Sequence, residues 1–213
     1  MRRPIIDTLP QFIAKHAQPV LESSGFEIVD GLFCLTSPRG DSSLIGIRPY
    51  PLDASVVFTA SLAVCPAPYW QWVMRRADDI GHPDMSGGLV RYPIAAPRAV
   101  AHRPDDIAPM NQRWSYNDDS SADKCGQVLA QVLIEEVVPK ATRLLNRQEL
   151  LAEVRDPDAD YIPGMSGKAR LEAILLVDDT APDDIEALLT DVEEYSPEDN
   201  FIEWVRLWAG RRR

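Results

Sequence analysis

The sequence predicts an α+β fold. An antiparallel sheet of about 4–6 strands packs on an N-terminal helix and a long helix, and a helical segment follows. Three observations carry this. Residues 55–64 alternate apolar and small or polar side chains. Hairpin-length turns separate the short apolar runs before them, which makes their pairing antiparallel. Apolar positions recur at the helical period in residues 7–24 and again in 118–154.

The first element is a helix over 7–24. Thr8 is placed to cap it, Pro10 suits its first turn, and Phe12, Ile13, Ala17, Val20 and Leu21 fall on one face. Gly25 supplies a left-handed stop. Strands follow around Phe26–Ile28, Leu32–Leu35, Ser43–Ile47 and Ser55–Val64. Asp30-Gly31 is a two-residue hairpin signal, and Ser37-Pro38-Arg39-Gly40-Asp41 is a second turn.

Pro66 to Met74 opens a short helix or irregular turn. The Pro-, Gly- and Asp-rich stretch 78–112 is expected to hold short strands around Leu89–Tyr92 and Arg98–His102, and Arg113–Tyr116 is the last short strand. Residues 118–154 give the strongest helical signal, with Cys125, Val128, Leu129, Val132, Leu133 and Val137 in one stripe and a kink expected at Pro139. Helices are expected over Lys168–Val177, Pro182–Glu194 and Pro197–Ala209. The break at 156–167 divides this expectation into an α+β domain over 1–155 and an acidic helical segment over 156–213, docked on the first.

Taken in order, these segments resemble the bacterial domain-of-unknown-function family labelled 4304. The residues that carry the resemblance begin with the helix end Leu21-Glu22-Ser23-Ser24-Gly25-Phe26, the strand Val56–Val64 and the turn Pro66-Ala67-Pro68-Tyr69-Trp70. They continue with Arg113-Trp114-Ser115-Tyr116, Val137-Val138-Pro139-Lys140, Ala173-Ile174-Leu175-Leu176 and Phe201-Ile202-Glu203-Trp204. The resemblance implies an α+β fold and assigns no functional residue.

Composition bounds the function. The 213 residues are 45% hydrophobic, and mean hydropathy is −0.20. No apolar run reaches the roughly 18 residues of a membrane helix, and no signal peptide is expected after Arg2-Arg3. The three cysteines Cys34, Cys65 and Cys125 are odd in number and far apart, which fits reduced thiols in a cytoplasm. A net charge of −11 argues against binding nucleic acid through phosphate neutralisation. Residues 149–205 hold 17 acidic and 3 basic side chains, a net charge of about −14, and this asymmetry hints at an interaction surface or a well-solvated helical face.

No chemical signature is complete. His16, His82 and His102 have no evident nucleophile partner, and there is no Gly-x-Ser-x-Gly elbow. The Asp-Asp pairs at 78–79, 105–106, 118–119, 178–179 and 183–184 read as helix caps and solvated turns rather than cation sites. The turns Met85–Gly88 and Pro163–Lys168 contain glycines, but the second lacks the spacing of a phosphate loop. No metal or cofactor is expected.

Tyr69, Trp70, Trp72, His102, Arg113, Trp114 and Tyr116 are the ligand or partner candidates, because Trp, Tyr and Arg dominate interface hot spots and also line small-ligand pockets. The simpler account of Trp70 and Trp114 is core between helix and sheet. The preferred expectation is a protein-interaction module, an adaptor or an immunity- or antitoxin-like neutraliser of a basic protein partner. The alternative is a small-molecule-binding protein or enzyme with a pocket near the sheet lined by Trp, Arg and His.

Overall fold

The computed structural model describes residues 5–50, 55–77, 80–102, 113–196 and 198–211. The predicted features at 78–79, 103–112, Pro197 and Arg212-Arg213 lie outside them.

The fold is α+β, and its sheet is antiparallel with seven strands. They are β1 (Glu27–Val29), β2 (Leu32–Thr36), β3 (Ser42–Tyr50), β4 (Val56–Cys65), β5 (Val90–Ile94), β6 (Trp114–Tyr116) and β7 (Ile162–Pro163). The order is β1-β2-β3-β4-β5-β7, and β6 pairs with β4. The hairpin β1–β2 turns on Asp30 and Gly31, both at positive φ (50° and 78°), which matches the right-handed twist of the strands it joins. The stretch expected as a strand at Arg98–His102 contributes only a bridge between Ala101 and Trp114.

The chain divides into two compact units. One comprises Met1–Leu35, Ser43–Leu62 and Tyr92–Thr142; the other comprises Thr36–Ser42, Ala63–Arg91 and Arg143–Arg213.

In the first unit the expected opening helix is two helices, α1 (Ile5–His16) and α2 (Gln18–Ser23). The chain breaks at Ala17 because Pro19, in the first turn of α2, has no N–H to continue the ladder. Helix α1 is already formed at Ile5, ahead of the expected Thr8 cap, so Pro10 lies inside it. Gly25 does end the pair at φ 89°, with Phe26 N donating to Leu21 O and Gly25 N to Glu22 O. Phe12 stacks on Tyr116 at 4.8 Å and tilts against Phe58 at 5.3 Å, while Phe58 stacks on Trp114 at 6.0 Å. These rings join α1 to β4 and β6, and Leu21, Leu44, Leu62, Leu129 and Leu133 complete the core.

The long helical signal resolves into four pieces. Two are α4 (Asp119–Val132) and a π-helical turn at Leu133–Val137; the others are α5 (Val138–Leu144) and α6 (Arg147–Arg155). Asp118 caps α4 by accepting from Ser121 N at 2.7 Å, and the Ser121 hydroxyl in turn accepts from Asp118 N at 2.9 Å. Pro139 lacks an N–H and its ring crowds the carbonyl four residues back, so the wider π turn falls directly before it.

The second unit holds α3 (Ala67–Val73), α6 and β7. It also holds α7 (Lys168–Leu176), α8 (Ile185–Leu188) and α9 (Phe201–Gly210). The helix expected over 182–194 is only the 3-10 turn Pro182–Asp184 followed by α8. Asp191, Glu193 and Glu194 would have extended its carboxyl end, where the helix dipole disfavours negative charge. Helix α9 starts at Phe201, later than the Ser196-Pro197 signal implies. Its cap comes from seven residues upstream: Glu194 accepts from Phe201 N at 3.2 Å and from Ile202 N at 2.9 Å.

Candidate functional site

The predicted site residues fall in both units, and most are interior. In the first unit Trp114 is fully buried and donates from Nε1 to Ile94 O at 2.8 Å. Tyr116 is buried against Phe12. The Arg113 guanidinium lies 3.8 Å above the Tyr50 ring, and its carbonyl accepts from the half-buried His102 through the backbone N–H.

In the second unit Tyr69, Trp70 and Trp72 all sit on α3 and are buried. Tyr69 donates to Gly164 O at 2.9 Å, and burial pushes its hydroxyl up to about 12, so it stays protonated near neutrality. Trp70 donates from Nε1 to Ile80 O at 3.0 Å, and its ring lies so near Gly87 that a Cβ there would come within 2.5 Å. The glycines of the two predicted turns therefore serve close packing: Gly164 N also donates to Leu89 O at 2.7 Å.

Two buried arginines organise this unit. Arg147 forms a two-pronged bond to Asp41, Nε to Oδ2 at 2.8 Å and Nη2 to Oδ1 at 2.7 Å. Its Nη1 donates to Asp178, whose other oxygen accepts from Trp208 Nε1 at 2.9 Å. Asp41 also accepts from Ala67 N at 2.8 Å, the first residue of α3. One chain of bonds thus runs from the start of α3 to the end of α9.

Arg170 forks onto Asp199 in the same way, at 2.5 and 3.0 Å. Its guanidinium lies 4.3 Å from the centre of the Phe201 ring and 5.0 Å from that of Tyr195. Burial would raise the Asp199 carboxyl, but the Arg170 bond and the Tyr195 N–H outweigh it and hold it below the usual carboxylate range. Trp72 meets Phe201 edge-on at 5.1 Å, Trp204 stacks on Trp208 at 5.2 Å, and Arg75 covers the Trp72 ring at 3.3 Å.

The unit also leaves large apolar side chains partly in solvent: Tyr195, at the edge of this array, is 56% and Leu207 60% exposed. Around them in sequence are the exposed acids Asp183, Asp184, Asp191, Glu193, Glu198 and Glu203. Other acids of the segment form ion pairs at the surface, Asp179 with Arg39, Glu172 with Arg155 and Glu186 with Arg206.

The sequence reading missed Arg147, Arg170, Tyr195 and Leu207. A signal for the arginines was present. Arg147, Leu150 and Val154 lie at i, i+3 and i+7, and Arg170, Ile174 and Val177 at i, i+4 and i+7. A cation on an apolar stripe calls for a buried acid. Tyr195 and Leu207 carried no comparable mark, because exposure depends on what packs nearby.

Among the described residues no group of three or more His, Cys, Asp or Glu side chains is arranged to hold a metal ion, and no helix is long and apolar enough to cross a membrane. None of the three cysteines is in a disulfide. Burial pushes the Cys125 thiol up to about 12, which leaves it unreactive.

Fold and site together define an α+β protein whose second unit holds two buried arginines paired with aspartates and exposes Tyr195, Leu207 and several acids of its C-terminal segment. Compared with protein-family models, curated proteins and solved structures, the chain matches none. The likeness to the 4304 family rests on the quoted residues alone.

Proposed function

We propose that the chain is a cytoplasmic protein-interaction module, an adaptor or an immunity- or antitoxin-like neutraliser that binds a basic protein partner. Membership of the 4304 family belongs to the same proposal. The observation that carries it is the exposure of Tyr195 and Leu207 within or beside a segment of net charge about −14. An exposed aromatic gives an interface its anchor, and surrounding charge of one sign speeds encounter and rejects partners of the same sign. Asp178 and Asp199 are largely covered by arginines and Glu186 pairs with Arg206 at the surface, while Asp183, Asp184, Asp191, Glu193 and Glu198 of the same segment are exposed.

The test is affinity capture with the full chain from the native cell, followed by mass spectrometry, at low salt and at about 0.5 M salt, where exposed charges are largely screened. The expected result is one stoichiometric basic protein that is lost at high salt. Absence of a partner in both conditions would overturn the proposal.

A further inference from the structure

The outer face of α9 carries three features that its neighbours within the chain do not explain. Leu207, at the centre, is 60% exposed. Glu203 and Arg211 lie four residues to either side of it, and both are exposed. Neither has a salt-bridge partner among the described residues, whereas Arg206 beside Leu207 is already paired with Glu186 at 2.7 Å. Gly210 is helical without a positive φ, and a Cβ there would meet nothing within 4 Å. Alanine would make the better helix at such a position, so the chain itself gains nothing from the missing side chain. Glu203, Leu207 and Gly210 recur at i, i+4 and i+7, with Arg211 next to them, and so form one stripe opposite the buried Phe201, Val205 and Ala209.

The three features are complementary to the same stripe running the other way. Two antiparallel copies of α9, related by a two-fold axis at Leu207, set each residue level with the one equally far beyond the axis. Leu207 then meets Leu207 of the second copy. Glu203 falls level with Arg211 of the second copy, about 6 Å along the helix from the axis, and the two free charges attract. Gly210 falls level with Trp204 of the second copy. That indole is half-buried on the Trp208 ring, which it stacks on at 5.2 Å, and the notch left by the glycine gives its exposed edge room.

We infer that the outer face of α9 is a self-association surface, on which the α9 of a second copy of this chain docks antiparallel about Leu207. The complementarity selects the occupant, since a second copy brings an opposite charge to Glu203, another to Arg211 and a ring to Gly210 in one register. The chain's net charge of −11, with Asp183 and Asp184 on the turn that packs on α9, opposes pairing at long range, and physiological salt screens that repulsion beyond about 8 Å. One helix face per copy is at the small end of interface sizes, so the dimer is weak and concentration-dependent. The inference goes beyond the interaction reading above and uses none of the loop around Tyr195.

The experiment is sedimentation velocity of the full chain at about 0.15 M salt across a wide range of concentration. A reversible monomer–dimer equilibrium is expected. Leu207→Lys, which sets like charges on the axis, should weaken it at least about tenfold. Glu203→Arg and Arg211→Glu should each weaken it alone, an equimolar mixture of the two should form a mixed dimer, and Glu203→Arg/Arg211→Glu together should recover self-association. Gly210→Gln should weaken the dimer without lowering the thermal unfolding temperature of the dilute monomer. A monomer at every concentration would overturn the pairing and leave the interaction reading standing. A dimer indifferent to Leu207→Lys would place the contact elsewhere and overturn the inference. Single charge variants that fail to complement each other on mixing would overturn the antiparallel register.

Discussion

Each unit of the molecule contains an aromatic cluster, and the two are held by different forces. In the first, Phe12, Phe58, Trp114 and Tyr116 pack ring on ring, and Trp114 meets its one polar need with a backbone carbonyl. In the second, Trp72, Phe201, Trp204 and Trp208 are threaded by Arg75, Arg170 and the Asp178 carboxylate. The first cluster gains mainly from removing apolar area from water. The second depends on charges that are favourable only while paired, since a buried ion without its partner is costly. The same residue types therefore make a passive core in one place and a charge-dependent scaffold in the other.

The largest effects should separate these two designs. Arg147→Met removes the shared partner of Asp41 and Asp178, and is expected to cost about 3–5 kcal/mol in urea unfolding. Arg147→Lys should restore little, because an ammonium cannot reproduce the two-pronged bond. Trp114→Ala is expected to cost a similar amount, about 3–5 kcal/mol, through a cavity. Here the conservative Trp114→Phe should recover much of it, because the stack on Phe58 survives. If Arg147→Lys proves as mild as Trp114→Phe, the contrast between the clusters is wrong.

Much of this fold was legible in the sequence, and the failures share a cause. The Asp30-Gly31 hairpin, the Gly25 stop and the alternation along β4 were readable because each is set by a few adjacent residues. The start of α9 was not, because its cap comes from Glu194, and a local Ser-Pro-Glu-Asp signal outweighed it in the reading. Of the candidate site, the aromatics were visible as residue types, but their burial was not. Core was the simpler reading of Trp70 and Trp114, but contact stayed open because only their neighbours decide it. The buried partners Asp41 and Arg147 are 106 residues apart, a separation no local pattern encodes.

A smaller effect tests the close packing of the first unit without touching its rings. Gly126 lies in the body of α4, where alanine would ordinarily be the better helix former by roughly 0.5–1 kcal/mol. A Cβ at this position, however, would overlap ring atoms of His16, which itself leans on Phe12 at 5.1 Å. Overpacking of that kind costs about 1–3 kcal/mol, so the clash should outweigh the propensity. Gly126→Ala is expected to lower the unfolding midpoint, and combining it with His16→Ala should remove most of the loss. A stabilised Gly126→Ala would mean that α1 and α4 are less closely fitted than described.

The smallest expected effect concerns acid, and it should be confined to the second cluster. Asp199 is held below the usual carboxylate range, its burial outweighed by Arg170 and the Tyr195 N–H. A carboxyl lowered by folding contributes stability that is fully present above its unfolded value of about 3.9. That contribution is lost as pH falls through the still lower folded value. Acidification below about pH 4 should therefore loosen the Tyr195–Asn200 loop and the start of α9. Tryptophan fluorescence reports it most clearly in Trp114→Phe, which silences the first cluster and keeps Trp72 and Trp204 beside Phe201. In an Asp199→Asn version of that protein this part of the acid transition should be absent, since an amide does not titrate in this range. An acid transition identical in both proteins would show that the Arg170–Asp199 pair does not govern the loop, and the second cluster would then be an apolar core like the first.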